Sequence, residues 1–394
     1  MRRPISLRSP INFGLQPLVF GLGAQRETGH GETTKRATVV GLDLGDRWIH
    51  ICGLDAQGEE VESDKILTGR AGLELRFCGT VRARIALEAG PQATWIARLL
   101  SSWGHEVIVA NPREVNVISR SHKKSDRIDA ALLARLAWAD PRLLHPITLR
   151  SEESQLRRDL LQARGLLVQM RTKVVNHVRG AMKKRGQPLR RSTSAGWARE
   201  SREVLPDPLR PILEPLLQLV ETLSTEIDRY DRQVKQAGSQ EPATALLQQV
   251  NGVGPITSLA FVATIETPQR FARSRLVGGY VGLAPRSDRS GETSKEKGIT
   301  HRGDEMLRCL LVQSAQYILG PFGKDCDLRR YGLSLVQRGG RAAKKRAVVA
   351  VARKLAVLLH RLWSGQAVYD PFHQAKRSES ARQPSAHATP THAA

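Results

Sequence analysis

The rhythm of apolar and polar positions changes twice along this 394-residue chain. The runs VVGLDLG and WIHICGL, between Val39 and Leu54, are apolar and β-prone, with a short polar turn at Asp46 and Arg47 between them, and they read as a hairpin. A third strand is expected near Glu60 to Thr68. After it come a strand at ARIALEA, an amphipathic helix from about Thr94 to Trp103, a strand at EVIVA and a helix opened by Ser125. Strands first, then strands alternating with helices, suggest a mixed α/β sheet covered by helices.

After Arg150 the period becomes helical. Leu156, Leu160, Ala163, Leu167, Met170, Val174 and His177 alternate spacings of four and three. Ile212, Leu216, Leu219, Leu223, Ile227, Tyr230 and Val234 nearly do the same. Such coiled-coil-like seams commonly seek a partner helix, so the expectation is a helical hairpin that pairs with another copy; a bundle within one chain is the alternative. His177 then belongs to the seam or the surface. The basic connection KKRGQPLRRSTSAGW joins the two helices. From Ala243, ALLQQVNGVGPITSLAFVATI reads as helix, Gly-rich turn, helix. Gly252 and Gly254 permit the turn, Pro255 starts the second helix, and amides at its N-terminus could hold a DNA phosphate. This resembles a helix-hairpin-helix, with a plain turn between two helices as the alternative. Beyond Lys344, KKRAVVAVARKLAVLLHRLW is a basic amphipathic helix suited to core packing on one face and phosphate on the other. The tail from about Phe372, rich in Ser, Ala, Pro and His, is expected to be disordered.

Charge narrows the partners. A formal net charge of +23, from 61 Lys and Arg against 38 Asp and Glu, points to a polyanion, and nucleic acid is the expected one. Basic clusters recur at Arg120 to Lys124, Lys183 to Arg191, Arg338 to Arg346 and Arg353 to Arg361, and binding through them would weaken steeply with salt. The four cysteines, Cys52, Cys78, Cys309 and Cys326, form no CxxC pair, which argues against a zinc ribbon or disulfide framework and fits a reduced cytoplasm. The first residues superficially imitate a signal peptide, but Gln16 and Pro17 interrupt the apolar stretch, so a disordered or misassigned start is the expectation. No later segment is long and apolar enough to span a membrane.

Within this frame four acids carry the chemistry: Asp43 in the first strand, Glu88 at the end of a later one, and Asp126 and Asp129 in the first turn of a helix. Residues three apart on a helix are neighbours, so Asp126 and Asp129 repel each other unless a cation intervenes. Acids in a first helical turn are also favoured by the helix dipole, which is the ordinary reading of that pair. Asp43 is harder to explain that way, because a carboxylate between Leu42 and Leu44 in a strand costs desolvation unless paired or metal-bound. Together they suggest a magnesium site of the kind that supports phosphodiester chemistry.

The sequence resembles insertion-sequence transposases whose N-terminal domain is RuvC-like and whose C-terminal domain supplies a serine, together with the Piv-type DNA invertases. GLDLG, ALEAG and KSDRIDAALLA carry the first half of the likeness. VNGVGPITSLAFVATI, YVGLAPRSDRSGETSKEKGITHRGD and LRCLLVQSA carry the second, and the whole runs from about Val39 to Leu319. The resemblance implies a ribonuclease H-like fold with Asp43, Glu88, Asp126 and Asp129 as a DEDD tetrad holding Mg2+. It also implies that Ser290, the Ser before Gly, is the nucleophile, with Ser287 and Ser294 as alternatives. Arg286, Arg289, Lys297 and Arg302 are candidate phosphate contacts alongside Gly252 and Gly254. HRGD stands where this family more often has a Lys and an Asn around the glycine, which puts a phosphate contact at His301 and Asp304 in question. Apart from the likeness, the segment around Ser290 reads as a polar surface loop.

The expected organisation is an N-terminal extension over 1–36, a RuvC-like domain over 37–148, a helical coiled-coil segment over 149–238, a mainly helical C-terminal transposase domain over 239–371, and a tail over 372–394. The expected function is a DNA recombinase, a homo-oligomer acting on donor and target DNA, with a structured non-coding guide RNA implied by the family. A RuvC-like junction resolvase using water as nucleophile, a site-specific invertase, and a nucleic-acid-binding scaffold without activity are the alternatives.

Overall fold

The computed structural model describes residues 36–112, 114–115, 126–189, 196–290 and 293–374, with the side chains of 287–297 left aside. The chain divides into two compact units, meeting in sequence at Leu149 and Arg150.

The first unit is built on a five-stranded sheet in the order β3-β2-β1-β4-β5. Strands β1 (Val39–Leu44), β2 (Trp48–Leu54) and β3 (Glu60–Leu67) are antiparallel neighbours, while β4 (Arg84–Glu88) lies parallel to β1 and β5 (Glu106–Ala110) parallel to β4. A mixed sheet of this kind with helices on it is consistent with a ribonuclease H-like domain. Alternation along the strands sorts the two faces. Val40, Leu42, Ile49, Ile51, Ile85 and Leu87 pack with Leu73 and Phe77 of α1 (Arg70–Phe77) and Ile96 and Leu100 of α2 (Ala93–Ser102). On the opposite face Val39, Ala86, Cys52 and Leu54 meet α3 (Asp126–Ala139) through Ala130, Leu133, Ala134 and Ala137. The patterning misses α1, a helix of low amphipathic contrast with exposed Leu75. Ser125, expected to open α3, lies outside the described residues.

The second unit begins with two long helices, α4 (Glu152–Lys183) and α6 (Arg210–Ser239). They run antiparallel: Arg164 pairs with Asp231 at 2.6 Å, and Arg171 donates to Ser224 at 3.3 Å. The far end of this hairpin is closed by the short α5 (Trp197–Glu203), where Trp197 and Ala198 pack with Val178, Met182, Leu213 and Leu217. The seam differs from the expected one. On α4 the buried positions are Ser154, Leu161, Val178 and Met182, whereas Leu156, Met170 and His177 are exposed. On α6, Leu213, Leu217 and Val220 are buried in place of Ile212, Leu216 and Leu219, and the expected register returns at Leu223, Ile227 and Val234. The physical reason is that the helices pair with each other within one chain, through a face that includes Arg164, Arg171 and Ser224. A reading that counts only apolar residues assigns those polar positions outward.

Below the hairpin lies the larger core. Its centre is α8 (Pro255–Ile265), in which every residue from Thr257 to Ile265 is buried. Around it pack α7 (Pro242–Leu247), α9 (Arg275–Tyr280), α10 (Glu305–Leu319), α11 (Asp327–Gln337) and α12 (Ala343–Gly365). The strands β6 (Pro285–Ser290) and β7 (Thr293–Ile299) form an antiparallel hairpin, so the segment expected to be a surface loop is a β-ribbon. Its polar side chains hide the strands from hydrophobic patterning, which registers only half-buried strands. At the start of the expected tail, Gln374 N donates to Asp327 at 2.6 Å and Arg330 stacks on Phe372, while 375–394 lie outside the described residues. Among the described residues no helix is long and apolar enough to cross a membrane.

Candidate metal centre and serine hairpin

Asp43 lies near the C-terminal end of β1 and Glu88 at the end of the neighbouring parallel strand β4, one step beyond the Leu42–Leu87 pair. By alternation both fall on the α3 face of the sheet, opposite to Leu42 and Leu87. Asp126 and Asp129 occupy the first turn of α3. What lets α3 approach is Gly41: a methyl group there would overlap the Ala130 carbonyl oxygen and come within 2.5 Å of the Ala134 nitrogen. Glycine on the strand facing alanines on the helix brings the helix N-terminus over the strand ends, and the acids with it.

Electrostatics records the result. The Asp43 carboxyl is pushed up to about 6, first by burial and then by the negative charges of Asp126, Asp129 and Glu88, with His50 pulling the other way. Among the described residues no three His, Cys, Asp or Glu side chains are arranged as a formed metal cluster. The acids are gathered on one face without being drawn to one point, and Asp126 keeps 71% of its side chain exposed.

His50 is a residue that the patterning passes over. It is the cross-strand partner of Asp43, and its Nε2 lies 3.6 Å from Asp126 Oδ2. Counting back from the turn at Asp46 and Arg47 pairs Asp43 with His50, so the hairpin itself held the signal.

The second unit carries the other candidates. Ser290 is the last residue of β6, paired in register with Thr293, and Ser287 and Ser294 lie in the same ribbon. Arg286 and Arg302 are exposed, and nothing is described of the Arg289 and Lys297 side chains. Gly252 takes φ 91°, and Pro255 is the first residue of α8. Asp304 is accounted for by structure: its Oδ1 accepts from Leu307 N at 2.8 Å as the N-cap of α10, and its Oδ2 pairs with Arg158 Nη2 at 2.5 Å. His301 is exposed with φ 53°.

A mixed sheet with acids gathered at its strand ends, on a chain of such positive charge, fits an enzyme that acts on nucleic acid. A transposase model of the DEDD type matches residues 40–185, and a second, describing the IS116/IS110/IS902 transposase family, matches residues 244–324. Over 341 residues the chain is 30% identical to a probable family 20 transposase of Pseudomonas aeruginosa, covering 84% of this chain and 98% of that one. It is 27% identical over 348 residues to the transposase for insertion sequence element IS1111A of Coxiella burnetii, covering 85% and 92%. It is 29% identical over 283 residues to the transposase for IS1328 of Yersinia enterocolitica, covering 71% and 83%. The chain belongs to the IS116/IS110/IS902 family of insertion-sequence transposases. Membership makes it a DNA-recombining enzyme with DNA as substrate.

Proposed function

We propose that the chain cuts and rejoins DNA through a DEDD site loaded with magnesium and a serine nucleophile, guided by a structured non-coding RNA and working as a homo-oligomer. The observation that carries the metal part is Asp43, its carboxyl raised to about 6 by burial and by three other acids. An all-oxygen set of like charges is the chemistry that a hard divalent cation relieves. Asp43, Glu88, Asp126 and Asp129 would hold the ion, and when bound it supplies charge neutralisation at the phosphate and a lowered barrier to forming the attacking oxyanion.

The chain's own residues do the rest. Ser290 gives up its hydroxyl proton, its Oγ forms a bond to phosphorus, and the bond from phosphorus to a sugar oxygen breaks; that oxygen takes a proton and leaves as a free hydroxyl. A phosphoserine-linked strand conserves the phosphodiester energy for rejoining. Arg286, Arg289, Lys297 and Arg302 would neutralise phosphate near the serine, and the turn at Gly252 and Gly254 with the amides opening α8 would hold backbone phosphate as a helix-hairpin-helix does. The excess of cationic side chains is compatible with DNA and RNA together.

The test is a covalent-adduct assay on a supercoiled plasmid bearing the chain's own gene with its native flanks, with magnesium and RNA transcribed from those flanks. The wild type is expected to give a protein-linked strand on a denaturing gel, and Ser290→Ala none, while Ser287→Ala and Ser294→Ala retain it. Continued cleavage by Ser290→Ala would overturn the serine mechanism and leave a water-using nuclease. Cleavage independent of the flank RNA would remove the guide.

A further inference from the structure

The β6–β7 ribbon leaves the core through a narrow neck. On the incoming side are residues 281–284 and on the outgoing side 300–303, joined by Thr300 N donating to the Ala284 carbonyl at 2.9 Å and His301 N to the Gly282 carbonyl at 3.2 Å. Both sides use left-handed glycines, Gly282 at φ 77° and Gly303 at φ 89°. There is no room for a side chain at either: a methyl at Gly282 would overlap the Arg302 carbonyl oxygen, and one at Gly303 the Tyr280 carbonyl oxygen.

One side chain spans both sides of this neck. Arg308, in the first turns of α10 and only 8% exposed, donates from Nη1 to the Val281 carbonyl at 3.2 Å and to the Arg302 carbonyl at 3.5 Å. Burying a guanidinium costs desolvation that an apolar side chain would avoid, so packing alone does not explain it. Arg308 is itself held by the start of α10, where Asp304 caps the helix and is tied to Arg158 of α4, whose Nη1 also donates to Thr264 of α8 at 2.8 Å.

We propose that Arg308 is a positioning residue for the transposition chemistry: by fastening the incoming and outgoing chain at the neck, it fixes the direction in which the ribbon presents Ser290. The inference rests on reading Ser290 as the nucleophile. Arg308 acts through the backbone and touches no reacting atom. Misplacing a reacting group by about 1 Å is worth roughly 10²-fold in rate, which sets the size of the effect.

The experiment uses the full chain with its flank RNA and the plasmid above. Arg308→Met, Arg308→Lys, Asp304→Asn and Ser290→Ala are compared in adduct formation, in plasmid binding, and in the rate at which trypsin cuts the ribbon at its Arg and Lys residues. Arg308→Met is expected to bind the plasmid and to lose adduct formation by about 10²-fold. Its ribbon is expected to be cut on the order of tenfold faster, because local opening becomes easier. Arg308→Lys should recover part of both, since an ammonium can still reach a carbonyl. Folded Arg308→Met with wild-type proteolysis and wild-type adduct formation overturns the proposal. If Arg308→Met does not fold, Asp304→Asn decides: asparagine keeps the cap and releases only Arg158, so smaller shifts in the same direction support the proposal and unchanged values in both readouts refute it. Ser290→Ala separates the two readings. Loss of the adduct at an unchanged trypsin rate leaves the serine in place, whereas continued cleavage removes the serine reading while the trypsin comparison still shows whether Arg308 fixes the ribbon.

Discussion

The strand ends of the first unit and the helical joints of the second use carboxylates in opposite ways. In the second, acids stand against arginines: Asp304 with Arg158, Asp231 with Arg164, Glu241 with Arg157, and Glu214 and Glu221 both with Arg202. In the first, at the strand ends, Asp43, Glu88, Asp126 and Asp129 are gathered with one another, on a chain carrying far more cations than anions. Gathered acids push a neighbouring carboxyl up, as at Asp43, whereas a paired and capped acid such as Asp304 joins two elements.

Substitution should therefore act with opposite sign at these two places. The largest effect is expected at Asp304, where alanine removes the α10 cap and leaves Arg158, itself 13% exposed, without its carboxylate. Breaking a buried pair from one side costs about 3–5 kcal/mol. Urea unfolding should show a clear loss of midpoint, and an unchanged midpoint would mean that the pair is idle.

Asp43→Asn should do the reverse. In metal-free protein the raised Asp43 carboxyl favours the folded state below the unfolded-chain value near 3.8, and this contribution is lost as pH rises through about 6. Wild type should therefore lose melting temperature relative to Asp43→Asn between pH 4 and pH 6, and the variant should melt higher at pH 7.5. Discounting for the half-exposed setting leaves a gain of about 1 kcal/mol, or a few degrees. Added magnesium should raise the wild-type melting temperature above pH 6 and leave Asp43→Asn unmoved; a magnesium shift of equal size in both would dissolve the comparison.

The smallest effect belongs to the surface network. Glu221 is held below the usual carboxylate range by its hydrogen bonds from Arg202, at 3.0 Å each, yet it lies near solvent. Glu221→Ala should cost no more than about 1 kcal/mol, and less in high salt. A chemical-denaturation series at two salt concentrations checks it.

Much of this was legible in the chain itself. Strands β1 to β5 and the placement of the four acids follow from local alternation and from acids at the ends of apolar runs, because a strand's two faces and a helix's first turn are set by neighbours in sequence. Even the Asp43–His50 pairing was available from the turn. The seam of α4 and α6 was legible only in part, since polar residues such as Arg164 and Arg171 face inward to meet partners on the other helix. The ribbon over 285–299 was hidden because its strands carry no apolar stripe.

The sequence by itself determined the inventory: a mixed sheet and a helical second half, a strongly cationic surface, a tetrad of acids in order, and a serine beside a glycine. Tertiary structure alone decided which of those acids are joints and which are gathered, because charge pairing depends on distances between elements far apart in the chain. Asp304 and Asp126 both sit at the start of a helix; the first meets Arg158 across the core, while the second is brought by Gly41 beside Asp43.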